Sequence, residues 1–262
     1  MSTFIVLAKK EVAQMIREFK IIWLPLVFIF LGITQPVVTY YLPDILKAVG
    51  GGQGITIDPS MAAQNGGEVL ASTLGSQFDQ LGVMIIIVSI MGIIQSDKAN
   101  GMLAFILTRP VKVSSYIYGK IISNYLFVTF SVTIGYLVSY LYVYLLFTSI
   151  HFIDFLAALL FYLLWVLFIV SFTTMISTIF NSQGIIALIS IVFLLVCRVI
   201  VGLSPVIDKI NPASMSKYGM DILVLGTVNT DVIWGGISTI LLSALTIMAA
   251  NKWISKKKYS NE

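Results

Sequence analysis

The amino-acid sequence predicts an all-helical, polytopic membrane protein with six transmembrane helices and both termini in the cytoplasm. Hydrophobic residues make up 58% of the 262 residues and charged residues only 11%, against roughly 25% charged residues in an average soluble protein. The mean hydropathy of +0.97 agrees with this class. The apolar residues gather in long blocks that are close to or above the length of about 20 residues needed to cross a bilayer as a helix.

Several classes of function are disfavoured by what the sequence lacks. The net charge of +4 is small and its cations are scattered, so no nucleic-acid partner is expected. The single cysteine and single histidine, Cys197 and His151, provide no metal spacing. No stretch matches G-x-x-x-x-G-K-[ST], so this chain should not bind ATP phosphates itself. We therefore expect no metal, no cofactor bound by this chain and no enzymatic activity of its own.

An amphipathic helix is expected at residues 7–20, before the first apolar block. Its apolar side chains recur at helical spacing along one face: Ala8, Val12, Met15, Ile16 and Phe19. Charged and amide side chains occupy the rest of its surface. This pattern is typical of a helix that lies in the membrane interface. A frayed cytoplasmic tail is the alternative interpretation.

The chain is expected to form one transmembrane domain over residues 1–262. The apolar blocks predict transmembrane helices at residues 21–42, 78–95, 121–147, 155–180, 184–203 and 232–250. Glycine and proline concentrate in residues 43–77, which predicts a long external loop, and residues 204–231 predict a second one. The block at 78–95 is short, and re-entry without crossing is its alternative.

The basic residues predict the orientation of the chain. With cytoplasmic termini, only three cations fall outside, namely Lys47, Lys209 and Lys217. Most of the 16 Lys and Arg residues fall inside: Lys9, Lys10, Arg17, Lys20, Lys98, Arg109, Lys112, Lys120, Lys252, Lys256, Lys257 and Lys258. Cytoplasmic loops carry such an excess of Lys and Arg. A re-entrant second block would put the basic central loop outside, which this bias disfavours.

The polar, basic segment at residues 95–120 carries the functional hypothesis. An acidic residue precedes a glycine, an apolar helical run follows, then Arg-Pro and a further cation, and Gly-Lys opens the next apolar block. The residues concerned are Asp97, Gly101, Met102, Phe105, Arg109, Pro110, Lys112, Gly119 and Lys120. This order resembles the loop between the second and third helices in permease subunits of ABC-2 type transporters. That family usually has glutamate before the glycine and arginine after the proline, where this chain has Asp97 and Lys112.

The resemblance implies that the loop forms a coupling helix seated in a cleft on a separate P-loop ATPase subunit. The coupling residues would be those from Asp97 to Lys112, and Gly119 and Lys120 would form the loop-to-helix junction. It also implies two ATPase subunits, which carry ATP and Mg, and a second permease chain, identical or related. The alternative is an ordinary basic loop whose cations hold lipid phosphates.

Arg198 is the one charge placed well inside a predicted helix. An ionisable residue within the membrane is a candidate substrate or structural site. We expect no acidic partner in the other helices. Arg198 lies about one and a half turns from Leu203, so snorkelling to the headgroups is the favoured interpretation.

The sequence therefore predicts a permease subunit of an ABC exporter in a bacterial plasma membrane, coupled to ATP hydrolysis on a partner chain. An ATP-independent membrane scaffold or accessory protein is the first alternative. An intramembrane lipid-modifying enzyme or peptidase is the second, and it would need clustered polar residues at membrane depth. The substrate is not predicted.

Overall fold

The computed structural model describes residues 3–49, 65–108, 113–227 and 230–260, and these residues form helices and no strands. The helices are α1 Thr3–Arg17, α2 Lys20–Val49, α3 Gly66–Ser72, a π-helix Thr73–Gly82, α4 Val83–Ile90, α5 Gln95–Ala99, α6 Met102–Leu107, α7 Val113–Leu146, α8 Phe152–Ile179, α9 Gln183–Val199, α10 Pro205–Ile210, α11 Ser214–Leu225 and α12 Asp231–Ser260. The predicted all-helical class is confirmed.

Five helical segments of the described chain are long and apolar enough to cross a membrane: Lys20–Ile45, Gly66–Ala99, Val113–Leu146, Phe152–Ile179 and Asp231–Lys256. The fifth predicted helix corresponds to α9, which is apolar but shorter. All six predicted helices are therefore present in the predicted order. Their cytoplasmic orientation stays a prediction.

The amphipathic helix α1 exposes part of its apolar face. Val12 and Ile16 are exposed, whereas Glu11 and Met15 are buried against the rest of the protein. Apolar residues facing out and a carboxylate facing in suit a helix at a membrane interface. A turn at Phe19, which has a φ of 54°, separates α1 from α2.

The second membrane-crossing segment begins at Gly66, so the prediction that it starts near residue 78 is wrong. The predicted external loop at 43–77 is correspondingly too long, because α2 also continues through Pro43 to Val49. Glycine here serves close packing rather than a loop. A Cβ on Gly67 would collide with the backbone carbonyl of Leu223. Residues 50–64 lie outside the described residues.

Helices α2 and α7 pack with their backbones in close contact. A Cβ on Gly32 would collide with the carbonyl oxygen of Gly135, and one on Gly135 would collide with that of Phe28. Small residues permit this approach between membrane helices. These two helices therefore form a tightly joined pair.

Residues 204–231, predicted to be the second external loop, are largely helical, and their position outside the membrane stays a prediction. They contain α10 and α11, and α11 buries Ser214, Met215 and Ser216. The carboxylate of Asp208 in α10 accepts a hydrogen bond from the backbone N–H of Gly202, which lies between α9 and α10, at 2.8 Å. Helices α10 and α11 therefore pack against the rest of the protein. Helix α9 ends at Val199 rather than at residue 203 as predicted.

Candidate functional site

The second membrane segment breaks at residues 91–94, and a serine from α8 bridges the break. Ser177 Oγ donates to the carbonyl of Met91 at 3.1 Å. It also accepts the backbone N–H groups of Ile94, at 3.2 Å, and Gln95, at 3.1 Å. One buried hydroxyl thus replaces several hydrogen bonds that a continuous helix would make internally. The break and Ser177 set where the following segment leaves the bundle.

Two short helices, α5 and α6, follow the break and meet at Gly101. Gly101 has a φ of 69°, a left-handed conformation that favours glycine. The Gly101 carbonyl accepts the N–H of Phe105, at 3.2 Å, and so begins α6. The predicted positions Arg109, Pro110 and Lys112 lie outside the described residues. The predicted helix that follows Gly101 is present as α6.

Asp97 points inward, toward α1 and α7. The side chain is 5% exposed and accepts a hydrogen bond from the hydroxyl of Tyr116 at 2.8 Å. It also pairs with Lys120, at 3.0 Å between Nζ and Oδ2, and with Lys10, at 3.3 Å between Nζ and Oδ1. Asp97 is therefore held by α1 and α7, and it also lines the open groove between α1 and α6.

Lys120 is the centre of this buried charge cluster, which comprises Lys10, Glu11, Asp97, Tyr116 and Lys120. Its side chain is 2% exposed, and its Nζ lies 2.9 Å from Oε1 of Glu11. Gly119 and Lys120 lie inside α7, which begins at Val113. Their assignment to a loop-to-helix junction is therefore wrong, because the polar start of α7 contains no break in the helix.

Helix α6 exposes two large apolar side chains on its outer surface. Phe105 is 55% exposed and Met102 is 38% exposed. They border an open groove of about 520 Å³ between α6 and α1, which Lys10 and Arg17 also line. The groove therefore combines exposed apolar side chains with polar ones, and Gln14, Asp97 and Asn100 also line it.

A second buried ion pair lies in the other half of the bundle and corrects the interpretation of Arg198. Its Nε lies 2.7 Å from Oδ2 of Asp79 in the π-helix. The Asp79 side chain is fully buried, and Ser216 of α11 donates a short hydrogen bond to it at 2.5 Å. The expectation of no acidic partner is wrong, and the arginine joins three elements.

Sequence reasoning missed Glu11, Tyr116 and Ser177. Glu11 carried a usable signal, since it lies on the polar face of α1 and that face has to pack on something. Tyr116 and Ser177 carried none, because hydroxyl groups are common in membrane helices. Their roles depend on neighbours distant in sequence.

Comparison with known proteins agrees with this architecture. Residues 5–250 match the family described as ABC-2 family transporter protein. The chain is similar to the uncharacterized transmembrane protein YxlG of Bacillus subtilis (strain 168), with 37% identity over 226 residues, 86% of this chain and 87% of that protein. The match spans nearly all of the helices described above. The chain therefore belongs to the ABC-2 transporter family and is a multi-pass protein of the cell membrane.

Proposed function

We propose that this chain is the membrane-spanning subunit of an ATP-binding cassette exporter, and that α5 and α6 couple it to a separate ATPase. The ATPase would carry ATP and Mg, and two copies would serve a pair of permease chains, identical or related. Substrate would move outward along a path between the two permeases. A single bundle of six helices is too narrow to enclose a wide path alone.

The observation that carries the proposal is the buried charge cluster. A coupling element has to transmit force, and therefore needs a rigid attachment to the membrane helices. Asp97 of α5 is held by Lys120 and Tyr116 of α7 and by Lys10 of α1. Ion pairs and hydrogen bonds in a buried, low-dielectric place resist displacement more than exposed ones do. A loop that only met lipid would not require this attachment.

The groove between α1 and α6 supports a protein partner. Exposed aromatic and methionine side chains, here Phe105 and Met102, are enriched at protein interfaces. Of the two cations that line the groove, Lys10 is paired with Asp97, and Arg17 suits acidic side chains on the partner. We therefore expect an ATPase cleft that combines an apolar floor with carboxylates at its edge.

The test is to purify the tagged chain from its native membrane in mild detergent and to identify any P-loop ATPase that accompanies it. The variant Met102→Ala/Phe105→Ala should lose that ATPase, because both exposed side chains border the groove and would contact the ATPase there. Gly101→Pro should lose it too, since proline cannot adopt the left-handed conformation.

Phe130→Ala provides a matched control. Phe130 lies on α7, is 55% exposed like Phe105, and is away from the groove. It should retain the ATPase at the wild-type level. Absence of an ATPase from well-folded wild-type protein would contradict the coupling role and favour an ATP-independent scaffold. Retention of the ATPase by the double variant would place the contact elsewhere.

A further inference from the structure

A separate cavity of about 240 Å³ lies between α1, the start of α2, the break at 91–94 and α7. It is smaller than the roughly 300–1,000 Å³ of pockets that hold drug-sized ligands. A headgroup or a small polar group would fill it. Because the cavity borders α1, whose pattern is typical of a helix in the membrane interface, we expect it at the depth of lipid headgroups.

The wall of this cavity is rich in hydrogen-bond acceptors. Glu11, 6% exposed, lines it. Lys120 engages Oε1 of Glu11 from behind the wall, and no hydrogen bond among the described residues engages Oε2. Asn124, 5% exposed, donates its amide to the carbonyl of Lys120 at 2.9 Å. That bond uses the nitrogen of Asn124, so its side-chain oxygen remains an acceptor for a ligand.

The charge on the wall does not favour an anion. The lining residues include the carboxylates of Glu11 and Glu18 and one ammonium, that of Lys20, which lies 2.6 Å from Oε2 of Glu18. Burial raises the pKa of Glu18, but hydrogen bonds from Lys20 and Gln14 lower it overall, so Glu18 is ionised at neutral pH. An anion such as a phosphate would meet two carboxylates, which disfavours it.

An aromatic side chain completes the site. The indole of Trp23 lines the cavity together with Val88, which is half exposed on α4. Cations bind over the face of tryptophan, and ammonium ligands are recognised in this way. The exposed side of Val88 gives an attached alkyl chain an apolar exit into the bilayer.

We propose that this cavity binds the ammonium group of an amphiphile, held by Glu11, Glu18, Asn124 and Trp23. The ammonium group could be that of a membrane lipid such as phosphatidylethanolamine or that of a cationic amphiphile from the cytoplasm. The site belongs to the permease chain alone and needs no ATPase. Its test is therefore independent of the coupling proposal.

The experiment measures binding of tritiated dodecylammonium to the full chain in phosphatidylglycerol nanodiscs, with empty nanodiscs as background. Saturable binding is expected, and tritiated dodecanol should not bind saturably. Trp23→Leu and Glu18→Gln should each weaken dodecylammonium binding by about threefold to thirtyfold. Neither residue belongs to the buried charge cluster, so both variants should fold. Glu68→Gln, the same change at an exposed carboxylate of α3, should bind like wild type.

A second arm identifies the source of the ammonium group. If phosphatidylethanolamine in the nanodiscs competes with dodecylammonium, the site holds a lipid headgroup, and if it does not, the site takes a soluble cationic amphiphile. Both results support an ammonium site. Unchanged affinity in the Trp23 and Glu18 variants, or equal binding of dodecanol, would overturn it.

Discussion

Replacement of Lys120 by methionine should strongly destabilise the protein. The ammonium group lies 2.9 Å from Glu11 and 3.0 Å from Asp97, and the side chain is 2% exposed. Removal of one partner from a buried ion pair costs about 3–5 kcal/mol, because the remaining charge is left uncompensated. Asp97 keeps its contacts with Tyr116 and Lys10. Only Glu11 loses its ion-pair partner, so we expect about 3 kcal/mol, the lower end of that range.

The measurement is equilibrium unfolding of the full chain in mixed micelles, followed by tryptophan fluorescence. Lys10→Met is the matched control, because Lys10 pairs with the same carboxylate at 3.3 Å but its side chain is 33% exposed. Lys10 is the partly exposed member of the cluster, and surface pairs contribute only about 0–1 kcal/mol, so this control should cost clearly less than Lys120→Met.

A double-mutant cycle separates the ion pair from simple packing. Glu11→Gln combined with Lys120→Met should cost less than the sum of the two single changes, by about 1–3 kcal/mol. Two outcomes would refute the reasoning: a cost for Lys120→Met below that of Lys10→Met, or strict additivity in the cycle. Either would mean that the cluster does not hold α5 to α7.

Three further predictions address other parts of the bundle. Ser177→Ala should cost about 1–3 kcal/mol in the same unfolding assay, whereas the equally buried Ser171→Ala should cost little, because its hydroxyl only bonds its own helix. Arg198→Met should cost about 3–5 kcal/mol, and a second change, Asp79→Asn, should recover part of it. Burial raises the pKa of Asp208, but hydrogen bonds from a lysine and a backbone N–H lower it overall. The contribution of Asp208 should therefore be present above about pH 4 and be lost as the pH falls through its lowered folded value. Hydrogen exchange of α11 against pH, with Asp208→Asn as control, checks this.

The order of the apolar helices could be predicted from the sequence because long uncharged runs have few alternatives in a bilayer. Gly101 could also be singled out, because the left-handed backbone conformation that precedes α6 favours glycine and depends only on the local sequence. The start of the second segment could not. Gly66 and Gly67 look like loop residues until Thr148 and Leu223 are known to pack against them.

That boundary error also hid the partner of Arg198. A helix starting near residue 78 puts Asp79 at its outer end, where it is interpreted as a residue among headgroups and not as a partner inside the bundle. The true start at Gly66 places Asp79 about 20 Å along the segment, within reach of the arginine. Asp97 presents a similar case. The loop pattern identified it as a contact residue, but its inward direction depends on Glu11 and Lys120, which are distant in sequence.

The coupling proposal requires that a push on α5 and α6 reach the opposite side of the membrane, and α7 provides the connection. The helix has 34 residues and is about 50 Å long. Its inner end carries Lys120 and Tyr116, which hold Asp97. Just beyond its outer end, Thr148 Oγ1 accepts the backbone N–H of Gly66 at 2.9 Å. The second segment and α7 are therefore tied together at both ends. If the predicted orientation holds, a displacement of Asp97 at the cytoplasmic side should reach both helices, because the charge cluster joins it to α7 and the contact at Thr148 joins α7 to the second segment.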